Sequence, residues 1–137
     1  MIVTISSAAK RRILAHCAES RDIEACGLLF GENGRIETAQ PTENVARNPA
    51  DSFEIDPAAL FAAIRAERAG GDAIVGHYHS HPAGGVKPSA RDAAMALDVG
   101  RLWLIVAGPE MRLWRAMEPG RLDPVELALA SPAPSRH

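Results

Sequence analysis

The sequence predicts an α+β domain, a mixed sheet flanked by helices. Three observations predict it. Short runs rich in branched residues are interspersed with amphipathic stretches instead of being grouped in blocks. Two helix starts carry side-chain caps. Two turns, Asn33-Gly34 and Gly108-Pro109, each separate a pair of strand-like runs. There is no internal repeat and no linker.

Ile2 to Ile5 reads as an opening strand. Ser6 or Ser7 caps a helix ending near Ser20, with Ile13, Leu14, Cys17 and Ala18 as its apolar stripe. Glu24 to Gly31 is a second strand, turning at Asn33-Gly34 into a partner over Arg35 to Ala39. Pro41 to Ala50 reads as loop. Asp56-Pro57 starts a second helix: a side-chain acceptor stands at the cap, then a proline where no N–H is needed. Leu60, Phe61 and Ile64 form its expected buried face, and Gly70-Gly71 ends it. Ala73 to His79 is a strand running into a Gly/Pro loop from Pro82 to Pro88, and a third helix begins at Ser89. Arg101 to Ala107 and Met111 to Met117 flank Gly108-Pro109. Val125 to Ala130 is the last expected strand, and residues 131–137 read as a polar, flexible tail.

The 137 residues fit one domain, and the 47% that are hydrophobic suffice for an ordinary core. Fifteen Lys+Arg against 17 Asp+Glu leave a net charge of −2, which provides no field for gripping a phosphate backbone. The longest apolar run, about Pro57 to Ile64, is far short of the ~20 residues of a membrane span. Lys10, Arg11 and Arg12 precede no long apolar stretch, so no secretory signal is expected. The 2 cysteines, Cys17 and Cys26, lack metal-type spacing and make no disulfide framework. These bounds predict a cytoplasmic protein that binds neither nucleic acid nor membrane.

The informative stretch is Gly76-His77-Tyr78-His79-Ser80-His81-Pro82, followed by Pro88-Ser89-Ala90-Arg91-Asp92. His79 and His81, two apart at a strand end, point to the same side. Asp92, three residues after Ser89, shares a face with it on the first turn of a helix. Two histidines and a carboxylate, with a fourth position left to water, form a ligand set that zinc uses in catalytic sites. Each feature also has an ordinary reading. Ser89-x-x-Asp92 resembles a capping box, and an isolated HxH is commonly a packing coincidence. Alternation puts His77 on the side of His79 and His81, as a supporting donor or a cleft neighbour. Glu24 by itself reads as a surface glutamate at a strand start.

His79-Ser80-His81-Pro82, the spacing of seven residues between His81 and Ser89, and Ser89-x-x-Asp92 together resemble the HSHP…SxxD signature of the JAMM (MPN+) zinc metalloproteases. Glu24-Ala25-Cys26-Gly27-Leu28-Leu29-Phe30-Gly31 is similar to that family's ExCGLLxG strand. The resemblance continues through Phe53-Glu54-Ile55-Asp56-Pro57 and Trp103-Leu104-Ile105-Val106 to Trp114. It spans about residues 1–130, the expected domain.

The resemblance implies a single JAMM/MPN-like domain, related in fold to cytidine deaminases. It implies one Zn2+ per chain held by His79, His81 and Asp92, with Glu24 as general base and Ser89 as hydrogen-bond donor to the oxyanion. Such a site hydrolyses an amide bond of a protein or peptide substrate. The short chain looks like the small prokaryotic members, some of which process ubiquitin-like sulfur carriers with a Gly-Gly tail. The alternative from another class is a catalytically silent MPN-type scaffold, which would require a gap in the motif. A zinc deaminase would need H-x-E with P-C-x-x-C, and a zincin HExxH; neither string occurs. The sequence is silent on oligomeric state.

Overall fold

The structure, a computed structural model, describes residues 1–32 and 34–131. Asn33 of the expected turn and residues 132–137 of the expected tail lie outside the described residues. In chain order the elements are β1 (Ile2–Ile5), α1 (Ser7–Glu19), β2 (Cys26–Glu32), β3 (Arg35–Thr42), α2 (Pro57–Arg68), β4 (Ala73–Ser80), α3 (Ala90–Met95), β5 (Leu102–Ala107), β6 (Glu110–Glu118) and β7 (Arg121–Leu129).

The strands are ordered β1-β3-β2-β4-β5-β6-β7. The sheet is mixed, with parallel pairs β1–β3, β1–β7 and β4–β5 and antiparallel pairs elsewhere. The expected combination of mixed sheet and helices is present, but the sheet does not stay open. β1 pairs with β7 from Ile2↔Glu126 to Ile5↔Leu129, and this closes it into a barrel. Closure gives β1 a hydrogen-bonded neighbour on each side and removes two edges.

Helix α1 starts where Ser6 Oγ accepts from the Ala9 amide at 3.0 Å, while its hydroxyl donates to the Glu37 carbonyl at 2.7 Å. Ala9 and Ile13 pack into a cluster with Val3, Leu29, Ile36, Tyr78 and Leu104. Helix α2 starts at Asp56, whose Oδ1 accepts from Ala58 at 3.1 Å. It packs through Ala63, Leu60 and Ile64 onto Leu28 and Ile74. Leu28 and Leu29 are neighbours in β2, so α1 and α2 cover its opposite faces. Phe61 departs from expectation at 58% exposed. The stripe is Leu60–Ala63–Ile64, spaced i, i+3, i+4, and Phe61 falls beside it.

Three strand boundaries also differ by two residues or more. β2 begins at Cys26 instead of Glu24, because the amides before it are already taken: Glu24 N–H donates to Pro49 O at 2.7 Å, and Ala25 N–H to Ser80 Oγ at 2.9 Å. β3 runs on to Thr42 and β7 starts at Arg121, so Pro41 and Pro124 lie inside strands. β1 pairs with β3 only at Arg35 and Ile36, and with β7 from Glu126 onward. Each proline therefore stands where one side of its strand is uncovered, the setting in which a sheet tolerates a missing N–H. β4 and β5 approach closely at Gly76, where a Cβ would lie 2.1 Å from the Leu102 carbonyl oxygen. Among the described residues no helix is long and apolar enough to cross a membrane.

Candidate metal centre

Three segments converge at the end of β4. His79 belongs to β4, and His81 lies just beyond it, tied down by its N–H to Val106 O at 2.9 Å. Asp92 sits in the first turn of α3, and Glu24 in the segment before β2. Ser80, between the histidines, clamps that segment twice: its N–H donates to Ala25 O at 2.9 Å and its Oγ accepts from Ala25 N–H at 2.9 Å.

His79 Nε2 and His81 Nε2 are 3.2 Å apart, and Asp92 Oδ2 lies 3.2 Å from the first and 3.1 Å from the second. With a carboxylate oxygen of Glu24 added, the four donor atoms all fall within 4.8 Å of one another. His79 is fully buried, and Asp92 and Glu24 are each 5% exposed.

This donor set fits a metal ion. A tetrahedral ion with bonds of about 2.1 Å spaces its ligand atoms about 3.4 Å apart, close to the observed triangle. Two imidazole nitrogens aimed at each other are also a poor hydrogen-bond pair, but a natural pair of ligands. His81 is set for that role by its second nitrogen. Nδ1 lies 3.0 Å from the Gly85 carbonyl oxygen, a pure acceptor, so Nδ1 keeps a proton; Nε2, which shares a hydrogen with Asp92 Oδ2 in the metal-free protein, is the nitrogen that offers its lone pair when an ion displaces that hydrogen. Gly84 and Gly85, with φ of 95° and 88°, let the loop turn its carbonyl toward the ring. Trp114 Nε1 donates to Val86 O at 3.0 Å and holds the same loop.

The electrostatics follow from burial and mutual contact. Burial opposes charge on Asp92, but hydrogen bonds from His79, His81 and the Ser89 amide outweigh it and hold the carboxyl well below the usual range. Burial pushes Glu24 up to about 7, with a further push from Asp92, and its Oε1 is buried without a partner among the described residues. Burial lowers His79, while the Asp92 hydrogen bond raises His81. A carboxylate near 7 is poised to take and return a proton at neutral pH.

His77 lies on the same side, as alternation predicts, but outside the cluster. Its ring centroid is 4.2 Å from that of Trp103 and 5.2 Å from that of Phe53, and its Nε2 is buried with no partner among the described residues. Burial presses it down to about 3. Ser89 adjoins the cluster: its Oγ accepts from the Asp92 amide at 3.0 Å, which leaves the hydroxyl proton for another acceptor.

Two contributors to the site are given no role by the sequence reading. Phe53 stacks on His79 at 4.3 Å between centroids and 19° between planes. Asn44 ties together the backbone of the Glu24 segment and of the residues flanking Phe53. Both lie in or beside a stretch that reads as loop; the signal for Asn44 is an amide in a proline-broken segment, where Asn commonly bonds backbone.

Comparison with known proteins gives a consistent picture. The family described as prokaryotic homologs of the JAB domain matches residues 6–117. The chain is 33% identical over 117 residues to a desampylase of Haloferax volcanii, covering 81% of this chain and 84% of that one. It is 36% identical over 78 residues to a probable TtuB-protein conjugate cleaving protease of Thermus thermophilus, covering 57% and 52%. A solution structure from Desulfitobacterium hafniense superimposes with a TM-score of 0.81 at 29% identity over 96% of this chain and 94% of that one. A JAB1/MPN domain protein from Archaeoglobus fulgidus shares the fold at a TM-score of 0.62 and 20% identity, covering 94% and 97%.

Proposed function

Because this chain belongs to the family of prokaryotic JAB-domain homologues, and is a JAMM-type isopeptidase by that kinship, we propose that it uses one Zn2+ to release ubiquitin-like proteins from their conjugates. The observation that carries the reading is the convergence of Glu24, His79, His81 and Asp92 within 4.8 Å. Under this reading residues 1–130 form the catalytic domain, and the enzyme works in the cytoplasm.

His79, His81 and Asp92 would hold the ion. Bound there, zinc supplies an acidified water and a polarised carbonyl. The remaining steps belong to the chain's own groups. Glu24 takes a proton from the attacking water onto its carboxylate as the oxygen adds to the amide carbon. Ser89 donates its hydroxyl proton as a hydrogen bond to the carbonyl oxygen, where negative charge develops. The C–N bond then breaks, and Glu24 gives its proton to the departing nitrogen, which leaves a carboxylic acid and a free amine that ionise in water to carboxylate and ammonium. The buried, unpartnered Oε1 of Glu24 supports that role. The favoured substrate is a ubiquitin-like sulfur carrier joined through a flexible Gly-Gly tail; the protein conjugate in one relative's name, a probable TtuB-protein conjugate cleaving protease, supports a protein conjugate as the substrate class.

The test is digestion of tail-extended and lysine-conjugated ubiquitin-like carriers with and without a chelator, read by mass spectrometry. Cleavage directly after Gly-Gly, abolished by chelation and restored by zinc, is expected. Cleavage that persists in chelator, or none with zinc present, contradicts the proposal.

A further inference from the structure

Asn44 lies just beyond β3, outside the metal cluster, yet its side chain is a junction between the two segments that flank that cluster. Its Nδ2 donates to the Glu24 carbonyl at 2.9 Å and to the Ser52 carbonyl at 2.9 Å, with Pro49 O at 3.4 Å. Its Oδ1 accepts from the Ala46 amide at 3.0 Å and the Glu54 amide at 3.1 Å. Both amide protons and both oxygen lone pairs are thus engaged, the full capacity of an asparagine.

Every long-range partner matters to the site. Glu24 O and Glu24 N–H are held on the same side of the chain, the first by Asn44 and the second by Pro49 O at 2.7 Å. Ser52 O and Glu54 N–H bracket Phe53, whose ring stacks on His79. Glu24 itself lies outside the β2 ladder, so strand pairing does not fix its backbone.

We propose that Asn44 is a positioning residue of the reaction: it locks the backbone of Glu24 so that the carboxylate faces His81 and Asp92, and holds Phe53 flat on His79. The proposal rests on the isopeptidase reading for its kinetic consequence and on geometry alone for its structural one. An asparagine is required because the site needs two donors and two acceptors on one planar group. Asp supplies no donor and sets a charge against two carbonyl oxygens; Leu supplies neither.

The experiment is a double-mutant cycle of Asn44→Ala with Glu24→Gln, run on the zinc-loaded enzyme, alongside amide hydrogen exchange of the metal-free chain. Asn44→Ala is expected to lower kcat by about 10- to 100-fold with little change in KM and in zinc content. In the Glu24→Gln background the same substitution should cost several-fold less, since the larger part of its effect acts through Glu24 and only the part acting through Phe53 and His79 remains. A general structural role would cost the same factor in both backgrounds, and that result overturns the proposal. In the metal-free chain, exchange at the Glu24 and Glu54 amides should accelerate while Leu28 and Leu29 in β2 keep their protection; unchanged exchange at both sites overturns it. Should the wild type cleave no carrier, the isopeptidase reading fails and the exchange pattern alone decides the positioning role. If Asn44→Ala does not fold, Asn44→Ser, which retains one donor and one acceptor, carries the same measurements.

Discussion

Ser89 and Asp92 cap each other at the start of α3 while Asp92 also faces the two histidines. The Asp92 amide donates to Ser89 Oγ at 3.0 Å, the Ser89 amide donates to Asp92 Oδ2 at 2.9 Å, and that same oxygen lies 3.2 Å from His79 Nε2 and 3.1 Å from His81 Nε2. The helix start and the candidate metal centre are therefore one construction. The cap fixes where the carboxylate stands, and the amide proton it accepts helps keep it ionised.

Removing any one of His79, His81 and Asp92 leaves two protein donors, too few for tight zinc binding. After dialysis, His79→Ala, His81→Ala and Asp92→Ala should each fall from about one zinc per chain to near zero. Metal analysis reads this directly, and full retention in any variant removes that residue from the ligand set.

His77→Phe should keep its metal, because the imidazole it replaces packs on Trp103 and Phe53 outside the cluster. Metal content equal to wild type is the expected result; loss would place His77 among the ligands.

The same residue should govern part of the acid sensitivity of the metal-free protein. Burial holds folded His77 down to about 3, whereas the unfolded chain titrates near 6.5. The neutral ring costs nothing above pH ~6.5. As pH falls from there toward 3 the unfolded state gains a proton that the folded state refuses, and stability drops by about 1.4 kcal/mol per pH unit. Urea unfolding between pH 6 and 4 should show a slope shallower by about one proton in His77→Phe. An identical slope would mean that His77 titrates normally in the fold.

Gly76→Ala should be among the most destabilising small substitutions in the chain. Its Cβ would stand 2.1 Å from the Leu102 carbonyl oxygen, and neither strand can move without breaking the β4–β5 ladder that carries His79. A loss of about 3 kcal/mol or more is expected, read as a lower urea midpoint at an unchanged m-value. A midpoint within experimental error of wild type would show that the strands have room.

Local chemistry made much of this legible. Ser6, one of the two candidate serines, caps α1 and Asp56 caps α2 as expected, because capping is decided within three residues. Period-two alternation placed His79 on the side of His81, and i, i+3 spacing placed Asp92 beside Ser89. What escaped depends on contacts distant in sequence. Barrel closure joins Ile5 to Leu129, and Phe53 meets His79 across a turn of chain and a helix. Glu24 reads as a strand residue by composition, yet Ser80 Oγ and Pro49 O take the amides that a neighbouring strand would have paired. Phe61 looked buried by its hydrophobicity, whereas position on the helix decides.

The most direct measurement is kcat of Glu24→Gln on a Gly-Gly-extended ubiquitin-like carrier, taken beside its zinc content. The glutamine keeps the size and reach of the side chain and removes its basicity. With the ion held by His79, His81 and Asp92, zinc should remain near one per chain and KM should change little. Without a carboxylate to collect the proton of the attacking water, kcat should fall by about 10²-fold or more. A variant that keeps both its zinc and the wild-type kcat would contradict the assignment of Glu24 as the base.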